Sequence, residues 1–132
     1  MYGIDTNVLL RYLLQDDEIQ SPIATNFITQ VCSSSEPAFI NNLVLAECVW
    51  VLQAGYGYSK GEIVEVLRIL AGAKEVTFED ENVVTIAIGN YQRGSADFAD
   101  YLLAQTNQIH SCTDTVTFDK KASKSPQFSL LM

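Results

Sequence analysis

Short β-like runs alternate along this chain with longer stretches whose apolar residues return every three or four positions. Residues 2–5 (YGID) read as a short buried strand, and residues 8–14 as the helix it feeds. Ser21 followed by Pro22 predicts a capped helix start, with the helix running to about Cys32. Residues 38–41 form the next strand candidate, after which Asn42 caps a helix that Gly55-Tyr56-Gly57 ends. Ser59 and Glu62 match a capping box, so Ile63, Val66, Leu67 and Leu70 line one face of the following helix. Residues 75–78 read as a third strand, and Asp80 or Asn82 opens a helix that Gly94 closes after Arg93. Ser95 is placed to cap a helix over residues 96–108, residues 112–118 form a β-branched strand ending at Asp119, and residues 127–131 add an edge strand.

Four or five short strands with interposed helices predict an α/β fold with a doubly wound, mainly parallel sheet. In such a sheet a ligand site lies outside the carboxyl ends of the strands. The 132 residues contain no repeat, linker or low-complexity tract and are read as a single domain, 1–132. No apolar run is long enough to cross a bilayer, and the start MYGIDTN has no leader pattern, so the expected location is cytoplasmic, with no membrane contact.

One helical stretch breaks its own pattern. LVLAECVWVL, residues 43–52, holds nine apolar residues and one carboxylate, Glu47. Its neighbours one turn away are Leu43, Val44, Trp50 and Val51, so its own helix offers it no polar companion. Something elsewhere in the chain must accept its charge, a cation, a metal or a cluster of polar groups, because burying an unpaired carboxylate is costly. Other acids stand where a site is expected. Asp5 and Asp119 are each at the carboxyl end of a strand, while Asp97 and Asp100 share one face at the start of a helix. Like charges gathered together repel, and a hard divalent cation with oxygen ligands, Mg²⁺ or Mn²⁺, removes that objection.

Charge and cysteine content limit the alternatives. A net charge of −8 argues against a protein that coats nucleic acid, although it leaves room for an enzyme acting on one. The runs Asp16-Asp17-Glu18 and Glu79-Asp80-Glu81 read as solvated surface, while Lys120, Lys121 and Lys124 make a small basic cluster. Cys32, Cys48 and Cys112 are odd in number and cannot all pair within one chain, contain no CxxC and read as buried or inert thiols. His110 is the single histidine, so a two-histidine ribonuclease mechanism is excluded by inventory. A phosphoacceptor receiver domain fits poorly, since the neighbours of Asp5 are Ile4 and Thr6 rather than a second acid.

MYGIDTNVLLRYL at the start, LAE within an apolar helix, SADFADYLLAQ and the late VTFDKKA together resemble the PIN domain, particularly the VapC-type toxins of bacterial toxin–antitoxin pairs. The likeness extends over essentially the whole chain in order and spacing. It implies a PIN-like α/β/α sandwich and metal-dependent endonucleolytic cleavage of RNA, by the toxin of a type II pair. Carried over position by position, it places the acidic site at Asp5, Glu47, Asp100 and Asp119, with Asp97 auxiliary to Asp100 and Thr6 and Asn7 completing the DTN motif. One or two Mg²⁺ or Mn²⁺ ions held there would polarise a phosphoryl oxygen and acidify an attacking water. Arg11, Lys120 and Lys121 are the candidates for holding the RNA backbone. The resemblance also implies a separate antitoxin chain and a homodimer, placed on the apolar surface of the helices within residues 42–72, with Tyr56 and Tyr58 as contributors. The alternative is a catalytically silent PIN-like scaffold serving as an RNA- or protein-interaction module. Residue types at strand-to-helix junctions such as Asp5-Thr6-Asn7 are also those that cap helices.

Overall fold

β1 (Tyr2–Gly3) leads within two residues into α1 (Thr6–Leu14). The turn between them is set by Asp5, whose backbone is still extended and whose Oδ1 accepts the Val8 N–H at 2.9 Å. This is one of the N–H groups that a helix start leaves without an intrahelical partner. The computed structural model describes residues 1–132, and they form two compact units, Met1–Glu81 and Asn82–Met132.

In the first unit α2 (Gln20–Asn26) runs on into a π-helical turn, Phe27–Val31, before β2 (Ala38–Ile40). The helix therefore begins earlier than the Ser21-Pro22 pair predicts. Asp17 supplies the start, its Oδ1 accepting the N–H groups of Ile19 at 3.0 Å and Gln20 at 2.7 Å, while Ser21 is buried inside the first turn. A helical pair follows, α3 (Asn42–Tyr56) and α4 (Lys60–Gly72). The cap of α3 is Asn41, accepting from Val44 N–H at 2.8 Å, one residue before the predicted Asn42. Gly57 ends α3 with φ +67°, a left-handed conformation that a side chain would strain. Ser59 and Glu62 form the predicted capping box. The buried face of α4 is Ile63, Val64, Leu67 and Leu70, with Val64 taking the place expected for Val66.

β3 (Val76–Phe78) completes a parallel three-stranded sheet in the order β1-β2-β3, with Tyr2 opposite Ala38 and Ala38 opposite Val76. The helices supply the crossovers that parallel strands require. Ile40, Leu45, Leu52, Ile63 and Leu67 are among its fully buried side chains.

The second unit carries α5 (Glu81–Arg93), whose first residue closes the first unit, then α6 (Phe98–Ile109), β4 (Thr115–Thr117), a 3₁₀ turn at Ala122–Lys124 and β5 (Phe128–Leu130). Asp97, not Ser95, stands at the N-cap of α6. β4 and β5 pair in parallel, Thr115 opposite Phe128. Tyr91 and Phe98 meet edge to face in this core, with ring centroids 5.8 Å apart. The expected α/β class with parallel strands is present. The five strands are grouped three and two, one sheet in each unit, where one sheet was expected. No helix is long and apolar enough to cross a membrane.

The acidic runs expected as solvated surface are largely engaged at element ends. Besides Asp17, Glu79 Oε1 accepts the Asn42 N–H at 3.0 Å and Glu81 Oε1 the Phe78 N–H at 3.0 Å. Of the thiols, Cys32 and Cys48 are buried, the latter pushed up to about 12 by desolvation, whereas Cys112 is exposed.

Candidate active site

Unit by unit, the structure shows what surrounds each acidic position. In the first unit Asp5 is exposed where β1 gives way to α1, with Oδ1 committed to the cap and Oδ2 left open. Thr6, the next residue, turns back onto α3 and donates its hydroxyl to Glu47 Oε1 at 3.2 Å. Packing of α1 on α3 brings these residues together across 41 positions of sequence.

Glu47 is not buried, contrary to what its apolar setting suggests. The reason is that α3 is apolar on both sides. Val44, Leu45, Cys48, Val49 and Leu52 face the core, while Leu43 and Trp50 remain 70% and 67% exposed. Positions 43, 47 and 50 fall on one helix face, so Glu47 shares that outward face, and its partner is a hydroxyl rather than a cation.

Asn7 and Asp5 border a groove of about 670 Å³ whose apolar lining includes Val8, Ile23 and Phe27. Arg11 lines the same groove but is already engaged. Its Nε donates to Gln20 Oε1 at 2.7 Å, and its guanidinium lies 3.5 Å from Asp16 and 3.9 Å from Asp17. Tyr56 extends this cluster by donating to Asp16 Oδ2 at 3.2 Å.

In the second unit two acids, Asp97 and Asp119, act on a third, Asp100. The Asp97 N–H donates to Asp100 Oδ2 at 3.2 Å, the return bond of a capping box, so the first turn of α6 holds both residues in a fixed relation. Asp100 is half-buried. Desolvation raises its pKa, and the charges of Asp97 and Asp119 add to the rise, while the Asp97 N–H and the Lys121 ammonium oppose it. Asp119 follows β4, and its Oδ1 accepts the N–H groups of Lys121 at 2.8 Å and Ala122 at 3.4 Å, which fixes the carboxylate at the strand's end. Lys120 and Lys121 beside it are exposed and form no ion pair. His110 ends α6, exposed and away from any metal-like grouping.

Within neither unit do three or more His, Cys, Asp or Glu side chains form a ready-made metal cage. What the second unit presents instead is a carboxylate whose charged form is disfavoured by burial and by two acidic neighbours. Oxygen donors with excess negative charge suit Mg²⁺ or Mn²⁺ and do not suit the thiolate- and imidazole-preferring metals.

A model of the PIN domain matches residues 2–126. The chain belongs to the PIN domain family. The PIN match takes in Asp5, Glu47, Asp97, Asp100 and Asp119 alike. A curated VapC ribonuclease of Aquifex aeolicus (strain VF5) is similar, with 25% identity over 121 residues that cover 92% of this chain and 89% of that one. The PIN assignment agrees with the resemblance carried by DTN, LAE, ADFAD and TFD. Sequence reading did not anticipate the Thr6–Glu47 bond, since nothing in either segment announces a partner so remote in sequence.

Proposed function

We propose that this PIN chain is a metal-dependent endoribonuclease and the toxin of a type II toxin–antitoxin pair. The observation that carries the reading is the PIN match over residues 2–126, in a chain with an acid at each position the resemblance implies. The VapC ribonuclease similarity supports RNA as the substrate. In this reading residues 1–132 act as one PIN domain in the cytoplasm, and Asp5, Glu47, Asp97, Asp100 and Asp119 supply carboxylate oxygens to Mg²⁺ or Mn²⁺. The donor chemistry fits: all are hard oxygen ligands, and a cation would relieve the charge crowding on Asp100.

When bound, the ion supplies positive charge where a phosphodiester in hydrolysis accumulates negative charge, and it acidifies water. The chain's own residues prepare the site. Asp5 is oriented by its cap to Val8, Glu47 by the Thr6 hydroxyl, and Asp119 by the Lys121 and Ala122 amides. Lys120 and Lys121, free of ion pairs and next to Asp119, are the side chains best disposed to hold a phosphate of the RNA backbone. Arg11 belongs to this role only by exchanging its bonds to Asp16, Asp17 and Gln20. Asn7 borders the groove beside Asp5, within reach of a chain entering it.

The same groove, apolar along Val8, Ile23 and Phe27 and acidic at Asp5, suits an antitoxin segment that pairs an apolar surface with a basic side chain. Leu43, Trp50, Tyr56 and Ile69, exposed on α3 and α4, are the apolar surface on which a homodimer would form.

The deciding assay is cleavage of RNA by the purified chain with Mg²⁺ or Mn²⁺, with and without a chelator. Wild type cleaves only with metal, and Asp5→Asn loses about 100-fold or more in rate. Equal cleavage by wild type and Asp5→Asn, or cleavage indifferent to chelator, would sink the reading.

A further inference from the structure

Behind the acidic turn of α6 lies a buried polar pair that neither apolar packing nor the acids themselves require. Tyr101 and Ser125 are 1% and 5% exposed, and their hydroxyl oxygens are 2.6 Å apart. The Tyr101 oxygen also accepts the Ala96 N–H at 3.2 Å. Gly94 closes the arrangement from the other side. A Cβ built there would sit 1.7 Å from the Tyr101 oxygen and 3.0 Å from the Asn90 carbonyl oxygen. Gly94 is therefore needed for close approach, to leave room for the phenol.

These contacts join the segment that carries Asp97 and Asp100 to the segment that carries Asp119. Tyr101 directly follows Asp100, and Ala96 directly precedes Asp97. On the other segment Asp119 binds the Ala122 N–H, and the Ser125 N–H donates to the Ala122 carbonyl oxygen at 3.0 Å. Each of those links is local. The hydroxyl pair spans 24 residues and connects them. Phenylalanine and alanine would fill nearly the same space without the desolvation cost of two buried hydroxyls, so the bond itself must be accounted for.

We propose that the Tyr101–Ser125 hydroxyl pair is a positioning element that holds the turn after Asp119 in register with the α6 start presenting Asp97 and Asp100. It acts through those carboxylates and does not touch substrate. The inference rests on the metal-binding reading given above. It also explains Gly94, since a side chain there would displace the phenol and with it the link to Ser125.

The test is Mn²⁺ binding by the full chain, read by electron paramagnetic resonance of the free ion alongside thermal unfolding. Tyr101→Phe and Ser125→Ala each weaken Mn²⁺ affinity by about 10-fold or more, the effect expected of groups that orient ligands. The double variant is no weaker than the worse single one, as it must be if the two hydroxyls act as a unit. Ser125→Thr, which keeps a hydroxyl, restores most of the affinity. Ile88→Val, a buried change in α5, lowers the unfolding temperature without altering Mn²⁺ affinity. In RNA cleavage, raising Mn²⁺ recovers the kcat of Tyr101→Phe but not that of Asp100→Asn. Wild-type affinity in both folded single variants overturns the proposal while leaving the metal reading intact. Absence of Mn²⁺ binding by wild type overturns that reading, and this proposal falls with it.

Discussion

Asp5 does two jobs with its two oxygens, and they can be separated by substitution. Asparagine keeps an acceptor for the Val8 N–H, so Asp5→Asn should unfold close to wild type while losing cleavage. Asp5→Ala should lose the cleavage and also about 1 kcal/mol of stability, measured by urea unfolding. Asp100 presents the opposite balance. Its pKa is raised in the folded chain, chiefly by burial, so its charge opposes folding at neutral pH, and this opposition fades as pH falls through the folded-state value. Asp100→Asn should therefore raise the metal-free unfolding temperature at pH 7, with the gain over wild type shrinking on acidification. Mg²⁺ should stabilise wild type more than the variant. Asp17 and Glu62 run the other way. Backbone N–H donors lower both pKa values, so their stabilisation is present above the ordinary carboxylate range and is lost as pH falls below it.

Helix starts carry much of the local order. Ser59 and Glu62 satisfy each other's backbone donors at the head of α4, and Ser59→Ala should cost about 1 kcal/mol in urea unfolding while leaving the RNA cleavage rate unchanged. This box was legible because its two partners are three residues apart and each has one plausible mate. Two other caps were displaced by one or two positions, Asn41 rather than Asn42 and Asp97 rather than Ser95, and at α2 the first N–H groups turn to Asp17, four positions ahead of Ser21. Neighbouring residues there are all good cap formers, and the choice falls to whichever is still extended when the chain leaves the preceding strand or loop. For α3 that choice follows the end of β2 pairing at Ile40. The Glu47 helix shows the same limit on a larger element. Apolar residues on both sides of α3 made burial the natural expectation, whereas the face holding Leu43, Glu47 and Trp50 looks outward.

Over the entire chain the net charge of −8 repels RNA, so affinity must come from a few local contacts. If Lys120 and Lys121 each neutralise one phosphate, log affinity should fall with log salt at a slope of about −1.4 for single-stranded RNA. Lys120→Ala or Lys121→Ala should each reduce that slope by about 0.7, measured by RNA-binding titrations at several salt concentrations. A slope much steeper than this would require cations beyond the pair.

Element type and order, the capping box of α4, the closing glycine of α3 and the acidic motifs could be read from the chain alone. Each depends on residues within a few positions of one another, whose conformational preferences are expressed locally. Four outcomes could not: the grouping of five strands into two sheets, the outward face of Glu47 and its Thr6 partner, the engagement of Arg11, and the Tyr101–Ser125 pair beneath Gly94. The free energies behind these are those of burial and hydrogen bonding between segments remote in sequence, and they are defined only once packing has chosen which surfaces meet.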